Sequence, residues 1–417
     1  MTSEYLKFKG YLTPGFKPDP NNFIICNFYL EPAKDVKFSE AAVAVAAESS
    51  IGTWTEVGTL SVKTRRELAA KIFYLNPKKK VVKIAYPLKL FEPGNISQFL
   101  SNCAGNVFSM KIVKNLRLED VEFPKKYIQS FPGPQLGLAG VRQKIGVFNR
   151  PLIGAIIKPK LGLSAKEHAR CAYECFIGGV DLVKDDENLT NQNFNRFAER
   201  VRLTLKLAKR AEKETGEKKI CAFNISAPTA EMIKRAKFVK KMGGNCIMVD
   251  VVTVGFSALQ ELRHQNLGLI IHAHRAMHSA FTRNPKHGIS MLVLAKLLRL
   301  AGVDQLHTGT VVGKMEGGKE DVLKINKALK QNWPDVKPVL PIASGGLHPA
   351  SVSKLIKILG KDLIINFGGG IHGHPQGTLA GAKAVRQAIE ATMKNISLKE
   401  YAKKNLELKI ALEHWKL

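Results

Sequence analysis

Apolar and polar positions change their rhythm once along this chain. As far as Ser130, short runs of mixed type predominate. NFIICNFYL and KKVVKIAYPL are rich in Ile, Val, Phe and Tyr and predict strands. SEAAVAVAAES predicts a helix N-capped by Ser39, and GNISQFLSNCAG a second helix ended by Gly105. This is an α+β pattern. The FPGP run from Phe131 to Pro134 punctuates it, dividing an N-terminal domain (1–133) from a second domain (134–417).

Beyond that point apolar strand candidates alternate with helical segments. Eight candidates follow in order: 152–158, 180–184, 220–225, 246–251, 267–274, 305–310, 338–344 and 363–369. Helical patterns such as AKEHARCAYECFIGG and ISMLVLAKLLRLAG lie between them. Eight βα units predict a (β/α)8 TIM barrel preceded by a smaller α+β domain. A doubly wound sheet is the alternative, but its Gly-rich fingerprint after the first strand is missing.

Composition narrows the class. The 417 residues are 45% apolar and 24% charged, which excludes collagen-like, coiled-coil and wholly disordered chains. No apolar run approaches the ~18 residues of a membrane span. The N-terminus MTSEYLKFKGYLTP has no apolar core of a secretory signal. Six scattered cysteines form no C-x-x-C pair, which predicts buried reduced thiols and a cytoplasmic location. The 64 basic and 35 acidic residues leave a charge of +29. The lysines are dispersed, and the densest run, PKKKVVK, has no interleaved aromatics. That predicts a solvated basic surface that attracts anionic ligands, with no nucleic-acid partner and no membrane.

The candidate chemistry collects at strand ends, where barrel enzymes carry their active sites. The first strand ends in Lys158 and Lys160, and the second in Lys184, Asp185, Asp186 and Glu187. The fifth ends in His272, His274 and Arg275, and the sixth carries His307. The seventh and eighth end in Ser344-Gly345-Gly346 and Gly368-Gly369-Gly370. Alternation along a strand points Lys184 and Asp186 the same way. Asp186 and Glu187 are hard-oxygen donors suited to Mg²⁺. Lys184 fits there as their ion-pair partner or as a carbamate ligand, and the bland alternative is a surface charge cluster. The glycines suit a backbone phosphate site or are plain turn residues. Arg275 and His307 suit a second anionic group, so two such poles flanking a metal suggest a small bisphosphate. Lys314 lies in a Gly-bounded loop with the makings of a lid. Lys158 is a candidate general base or a salt-bridged lysine.

The motifs KPKLGLSAKE, GGVDLVKDDEN, HAHRAMH, GTVVGKMEG, ASGGLHP and FGGGIHGHP stand in order over nearly the whole chain. Together they resemble the large chain of ribulose bisphosphate carboxylase/oxygenase (RuBisCO). DENLTNQNFN and FTRNPKHGIS resemble its archaeal form III type. The resemblance implies that Lys184 is carbamylated by an activating CO₂ and joins Asp186 and Glu187 on Mg²⁺. It makes Lys158 the base that removes the C3 proton, Lys160 its neighbour, and His274 a proton relay at the substrate hydroxyls. Lys314 becomes the lid lysine that steadies CO₂. Arg275, His307 and Ser344 match one phosphate and hydroxyl site; Gly345, Gly346, Gly368 and Gly369 match the other. In the N-terminal domain Glu48, Thr53, Trp54 and Asn106 match residues that complete the partner subunit's site. A homodimer with shared active sites follows, alone or in higher assemblies of dimers, with no small subunit. The implied reaction takes ribulose 1,5-bisphosphate and CO₂ to two 3-phosphoglycerates, with O₂ competing, in salvage of nucleoside monophosphates.

Three departures stand out. Ile156 replaces a threonine of plant-type enzymes, the chain stops at Leu417 without their long tail, and NISAPTAEMIK is one residue short. Two other functions compete. A RuBisCO-like enolase or isomerase on another sugar bisphosphate, for example in methionine salvage, would alter the base or lid lysine. A non-enzymatic basic binding protein would bind nucleic acid and no bisphosphate.

Overall fold

The computed structural model describes residues 10–52, 57–312 and 318–416. The chain divides into two compact units: one holds residues up to Pro132 with 277–301 and 333–336, the other 133–276, 302–332 and 337–417.

The first unit is built on a five-stranded sheet. Its strands are β1 (Phe23–Pro32), β2 (Lys71–Asn76), β3 (Val81–Pro87), β4 (Val113–Glu122) and a two-residue strand from a later part of the chain. β1 alternates strictly at first, burying Ile24, Cys26, Phe28 and Leu30, and pairs antiparallel with β3 and β4. The alanine-rich helix Phe38–Glu48 starts one residue before Ser39. The predicted serine cap is therefore inside the first turn. The backbone N–H of Lys37 instead donates to the Glu40 carboxylate at 3.4 Å, because Glu40 stands at the third helical position. The second predicted helix runs Ile96–Cys103 and stops before Ala104 and Gly105; the Asn95 side chain caps its start, accepting from Gln98 N–H at 3.0 Å.

The second unit is a closed parallel barrel. In chain order its strands are β5 (Leu152–Ile156), β6 (Leu182–Lys184), β7 (Ile220–Asn224), β8 (Cys246–Asp250), β9 (Ile270–His274), β11 (Gln305–His307), β12 (Leu340–Ser344) and β13 (Ile364–Phe367), with β11 pairing to β9 to complete the ring. Every one lies within its predicted span. The intervening β10 (Gly288–Ile289) belongs to the first unit, where it runs parallel to β4. The predicted helix after it, observed as Met291–Ala301, groups there too. Its Lys296 Nζ donates to Asp120 Oδ1 at 2.5 Å and to the Val121 carbonyl at 2.8 Å. A single cut after residue 133 hides this excursion.

The barrel's interior is graded. Its lower layer is apolar: Leu152, Leu182, Ile220, Cys246, Ile270, Leu340 and Ile364 cluster with Val141 and Ile145 of the helix Gly137–Ile145. Positions two residues on, such as Ala222, Met248 and Ile342, share that face. The lower end is therefore packed shut, and polar side chains collect toward the strand C-termini.

Candidate active site

Lys184 ends β6 with its side chain fully buried at 0% exposure. Its ammonium donates to the Asp185 carbonyl at 2.8 Å and lies 3.6 Å from Glu187 Oε2. Burial pulls its pKa down, against the pull of Glu187, Asp186 and Asp250 in the other direction. A buried ammonium gives up its proton more readily than one in water.

Asp186 faces the same space, as alternation predicts, and its Oδ2 accepts from Lys158 Nζ at 2.6 Å. Asp185 points the other way. It accepts from Arg200 Nε at 3.0 Å and from the Asn224 backbone at 2.9 Å, with His168 Nε2 at 3.2 Å. Burial pushes the Asp185 carboxyl up, but Arg200 and His168 outweigh it and hold its pKa below the ordinary value. The KDDE run thus splits into an inward group (Lys184, Asp186, Glu187) and one outward anchor.

Glu187 and His274 face each other, Oε2 to Nε2 at 3.7 Å. Burial raises the Glu187 pKa, yet the neighbouring Lys184 ammonium outweighs it and brings it to about 2. His274 Nδ1 lies 3.0 Å from Asp250 Oδ1. A carboxylate only accepts, so Nδ1 donates in that contact; the Ala276 backbone N–H also approaches Nδ1, at 3.3 Å, and Nε2 is the ring nitrogen turned toward Glu187. Asp250 in turn accepts from Asn224 Nδ2 and from Ser226 Oγ, both at 3.2 Å. Sequence reading passed over Asn224 and Asp250, although both end barrel strands and ICAFN and CIMVD each close on a polar residue.

A second buried chain crosses the barrel. His272 Nδ1 meets Gln305 Oε1 at 2.7 Å, His272 Nε2 meets His307 Nε2 at 2.9 Å, and His307 Nδ1 meets Ser344 Oγ at 2.9 Å. Burial lowers the His272 pKa to about 3 and that of His307 well below its usual value. With both rings neutral one assignment satisfies every link: His272 donates to Gln305, His307 donates to His272, and the Ser344 hydroxyl donates to His307.

Burial brings the Arg275 pKa to about 10, which leaves it cationic at neutral pH. A Cβ at Gly309 (φ +95°) would stand 2.8 Å from its guanidinium, so that glycine makes room for it. A Cβ at Gly368 would stand 3.2 Å from Lys158 Cε. Gly345 and Gly346 adopt φ of 114° and 64°, a backbone that glycine tolerates best. Lys160 is exposed. In the first unit Asn106 Nδ2 donates to Glu48 Oε1 at 3.4 Å, joining two predicted residues. Thr53, Trp54 and Lys314 lie outside the described residues.

Among the described residues no three His, Cys, Asp or Glu side chains are set to hold a metal ion. Asp186 and Glu187 supply two hard oxygen donors on the inward face. None of the described helices is long and apolar enough to cross a membrane, and all six cysteines are unpaired thiols.

Residues 137–415 match the model for the ribulose bisphosphate carboxylase large chain, catalytic domain, and 10–127 that for its N-terminal domain. The ribulose bisphosphate carboxylase of Methanosarcina mazei is 51% identical over 98% of this chain and 99% of its own. That of Pyrococcus abyssi is 51% identical over 98% and 96%. The crystal structure of octameric ribulose-1,5-bisphosphate carboxylase/oxygenase from Pyrococcus horikoshii with sulfate ion superposes with a TM-score of 0.94 at 49% identity, covering 99% of this chain and 97% of that one. The dimeric archaeal Rubisco from Hyperthermus butylicus gives 0.93 at 44%, covering 99% of each. With both domain models matched and archaeal relatives alike from end to end, the chain belongs to the ribulose bisphosphate carboxylase large-chain family.

Proposed function

We propose that this protein is a ribulose-bisphosphate carboxylase. It enolises ribulose 1,5-bisphosphate, adds CO₂ and cleaves the product to two 3-phosphoglycerates, with O₂ as competing substrate. One observation carries the reading: Lys158, Lys184, Asp186, Glu187 and His274 converge at the C-terminal ends of three barrel strands within salt-bridge distances.

The donor set fits Mg²⁺ once Lys184 is carbamylated. Only a neutral amine adds CO₂, and burial favours that form at Lys184. The carbamate is the missing anionic oxygen donor beside Asp186 and Glu187. When bound, the metal supplies Lewis-acid stabilisation of negative charge on the substrate oxygens.

The remaining roles belong to the chain. Lys158 accepts the C3 proton as a neutral amine, having first given its ammonium proton to solvent as the ion pair with Asp186 breaks. His274, oriented by Asp250, moves protons at the substrate hydroxyls through Nε2. Arg275 and the Ser344–His307 pair bind one phosphate with its neighbouring hydroxyl. Gly345, Gly346, Gly368 and Gly369 bind the other through backbone N–H groups. Lys160 adds positive charge, and Lys314 steadies the incoming CO₂. The N-terminal domain (1–133) lends Glu48, Thr53, Trp54 and Asn106 to the barrel (134–417) of a partner subunit in a homodimer. The setting is nucleoside monophosphate salvage in a reducing cytoplasm.

The test is anoxic incubation with Mg²⁺, bicarbonate and ribulose 1,5-bisphosphate. 3-Phosphoglycerate is expected, falling at least ~1,000-fold in Lys184→Met, which keeps the volume and removes the ligand. No product from the wild-type protein overturns the reading, and turnover of a methylthio-ketose bisphosphate in its place assigns the enolase activity.

A further inference from the structure

The two glycine loops are not free-standing. A methyl group at Gly370 would overlap the Leu347 carbonyl and crowd His348 Cα, and one at Gly381 would overlap the Ile371 carbonyl. The loop after β12 therefore packs backbone to backbone on the loop after β13, which packs in turn on the helix Gly377–Met393.

The helix Leu406–His414 is tied to both loops. At its start the Glu407 carbonyl accepts from His374 Nε2 at 3.0 Å, while His374 Nδ1 accepts from the Gln376 backbone at 3.1 Å. These bonds set one neutral tautomer. The same turn is pinned to Gly377–Met393: Gln387 donates to Glu407 Oε2 at 2.8 Å and accepts from Leu408 N–H at 3.0 Å, and Lys383 lies 3.3 Å from Glu407 Oε1. Past its end, Trp415 stacks on His348 with ring centroids 5.6 Å apart and planes at 19°. His348 Nδ1 is buried and has no hydrogen-bond partner among the described residues, and the Trp415 indole packs on the face of that ring. His348 lies two residues past Gly346, and His374 four past Gly370.

We propose that the C-terminal helix is a brace that sets the spacing of the two glycine loops, with Trp415 positioning the loop after β12 through His348 and His374 positioning the loop after β13. The inference rests on reading those glycines as a phosphate site. Backbone donors have no rotamers with which to recover a lost geometry, so a small displacement of either loop weakens anion binding directly. Neither Trp415 nor His374 is among the residues proposed to touch the substrate.

The test compares Trp415→Ala, Trp415→Phe and His374→Gln in the full-length assembled protein. Readouts are amide hydrogen exchange over 345–348 and 368–371, inorganic phosphate binding by calorimetry, and KM and kcat for ribulose 1,5-bisphosphate. Trp415→Ala is expected to speed exchange in both loops about tenfold, and to weaken phosphate and raise KM by about the same factor, with kcat within about twofold. Trp415→Phe restores most of each. Unchanged exchange and phosphate affinity in folded Trp415→Ala overturn the brace, as does a loss that Trp415→Phe does not recover. Should Trp415→Ala fail to fold, His374→Gln decides alone: faster exchange in both loops upholds the brace and unchanged exchange overturns it. Exchange is independent of catalysis. Wild-type protein without carboxylase activity but with the Trp415 effect on exchange sinks the proposed function and leaves the brace standing.

Discussion

Lys158 Nζ lies 2.6 Å from Asp186 Oδ2, so the proposed base and a proposed metal ligand hold each other. Asp186 is almost fully buried and Lys158 about a quarter exposed, so the pair is only partly screened. A divalent ion recruiting Asp186 must displace that ammonium. Lys158→Met is therefore expected to bind Mg²⁺ about tenfold more tightly than the wild type in bicarbonate buffer, while forming no 3-phosphoglycerate. Calorimetric titration with Mg²⁺ checks this. Weaker or unchanged affinity would mean that the two cations do not compete for Asp186.

The catalytic end of the barrel was legible because strand periodicity and strand-terminal chemistry are both local signals. Lys184 and Asp186 face one way because a strand has period two, and eight apolar runs of barrel-strand length need no partner to be recognised. What escaped depends on distance in sequence. Asp250 matters through His274 and Asn224, each more than twenty residues away. The His272–His307–Ser344 chain joins three strands. β2 and β4 were missed because KIFYLN and VKNLRLEDVE carry Lys, Arg and Glu amid their apolar positions. Ser39 is a good cap by type, but Glu40 won the helix start by reaching back to Lys37.

The histidine chain predicts acid sensitivity of a definite sign. His272 and His307 both have folded-state pKa values below the ordinary 6.5, the former at about 3. Between those values the unfolded chain takes up protons that the native barrel refuses, so stability falls as pH drops below about 6.5. Each histidine contributes a slope of roughly 1.4 kcal/mol per pH unit there. Asp185 and Glu187, whose folded pKa values are lowered, add stability that is lost only below about pH 4.5. The thermal midpoint is thus expected to fall from pH 6.5 to 5, and less steeply in His272→Gln. Equal slopes in the two proteins would assign the acid response elsewhere.

Gly309 separates the cost of backbone strain from the cost of moving a site residue. Its φ is +95°, and a Cβ there would stand 2.8 Å from the Arg275 guanidinium. Gly216, at φ +70°, has nothing within 4 Å of the same added atom. Alanine at either position pays for a left-handed backbone, about 1 kcal/mol. Only at Gly309 must a cation also shift, and Arg275 is the planar donor proposed for one substrate phosphate. Gly309→Ala and Gly216→Ala are therefore expected to lower the thermal midpoint by similar few-degree amounts. Gly309→Ala alone should raise KM for ribulose 1,5-bisphosphate, by about tenfold or more, because a bidentate phosphate contact tolerates little displacement. Equal KM values in the two variants would remove Arg275 from the phosphate site. Adding Arg275→Lys to Gly309→Ala distinguishes displacement from loss: a guanidinium already pushed aside has little left to lose, so the double variant should bind scarcely worse than Gly309→Ala.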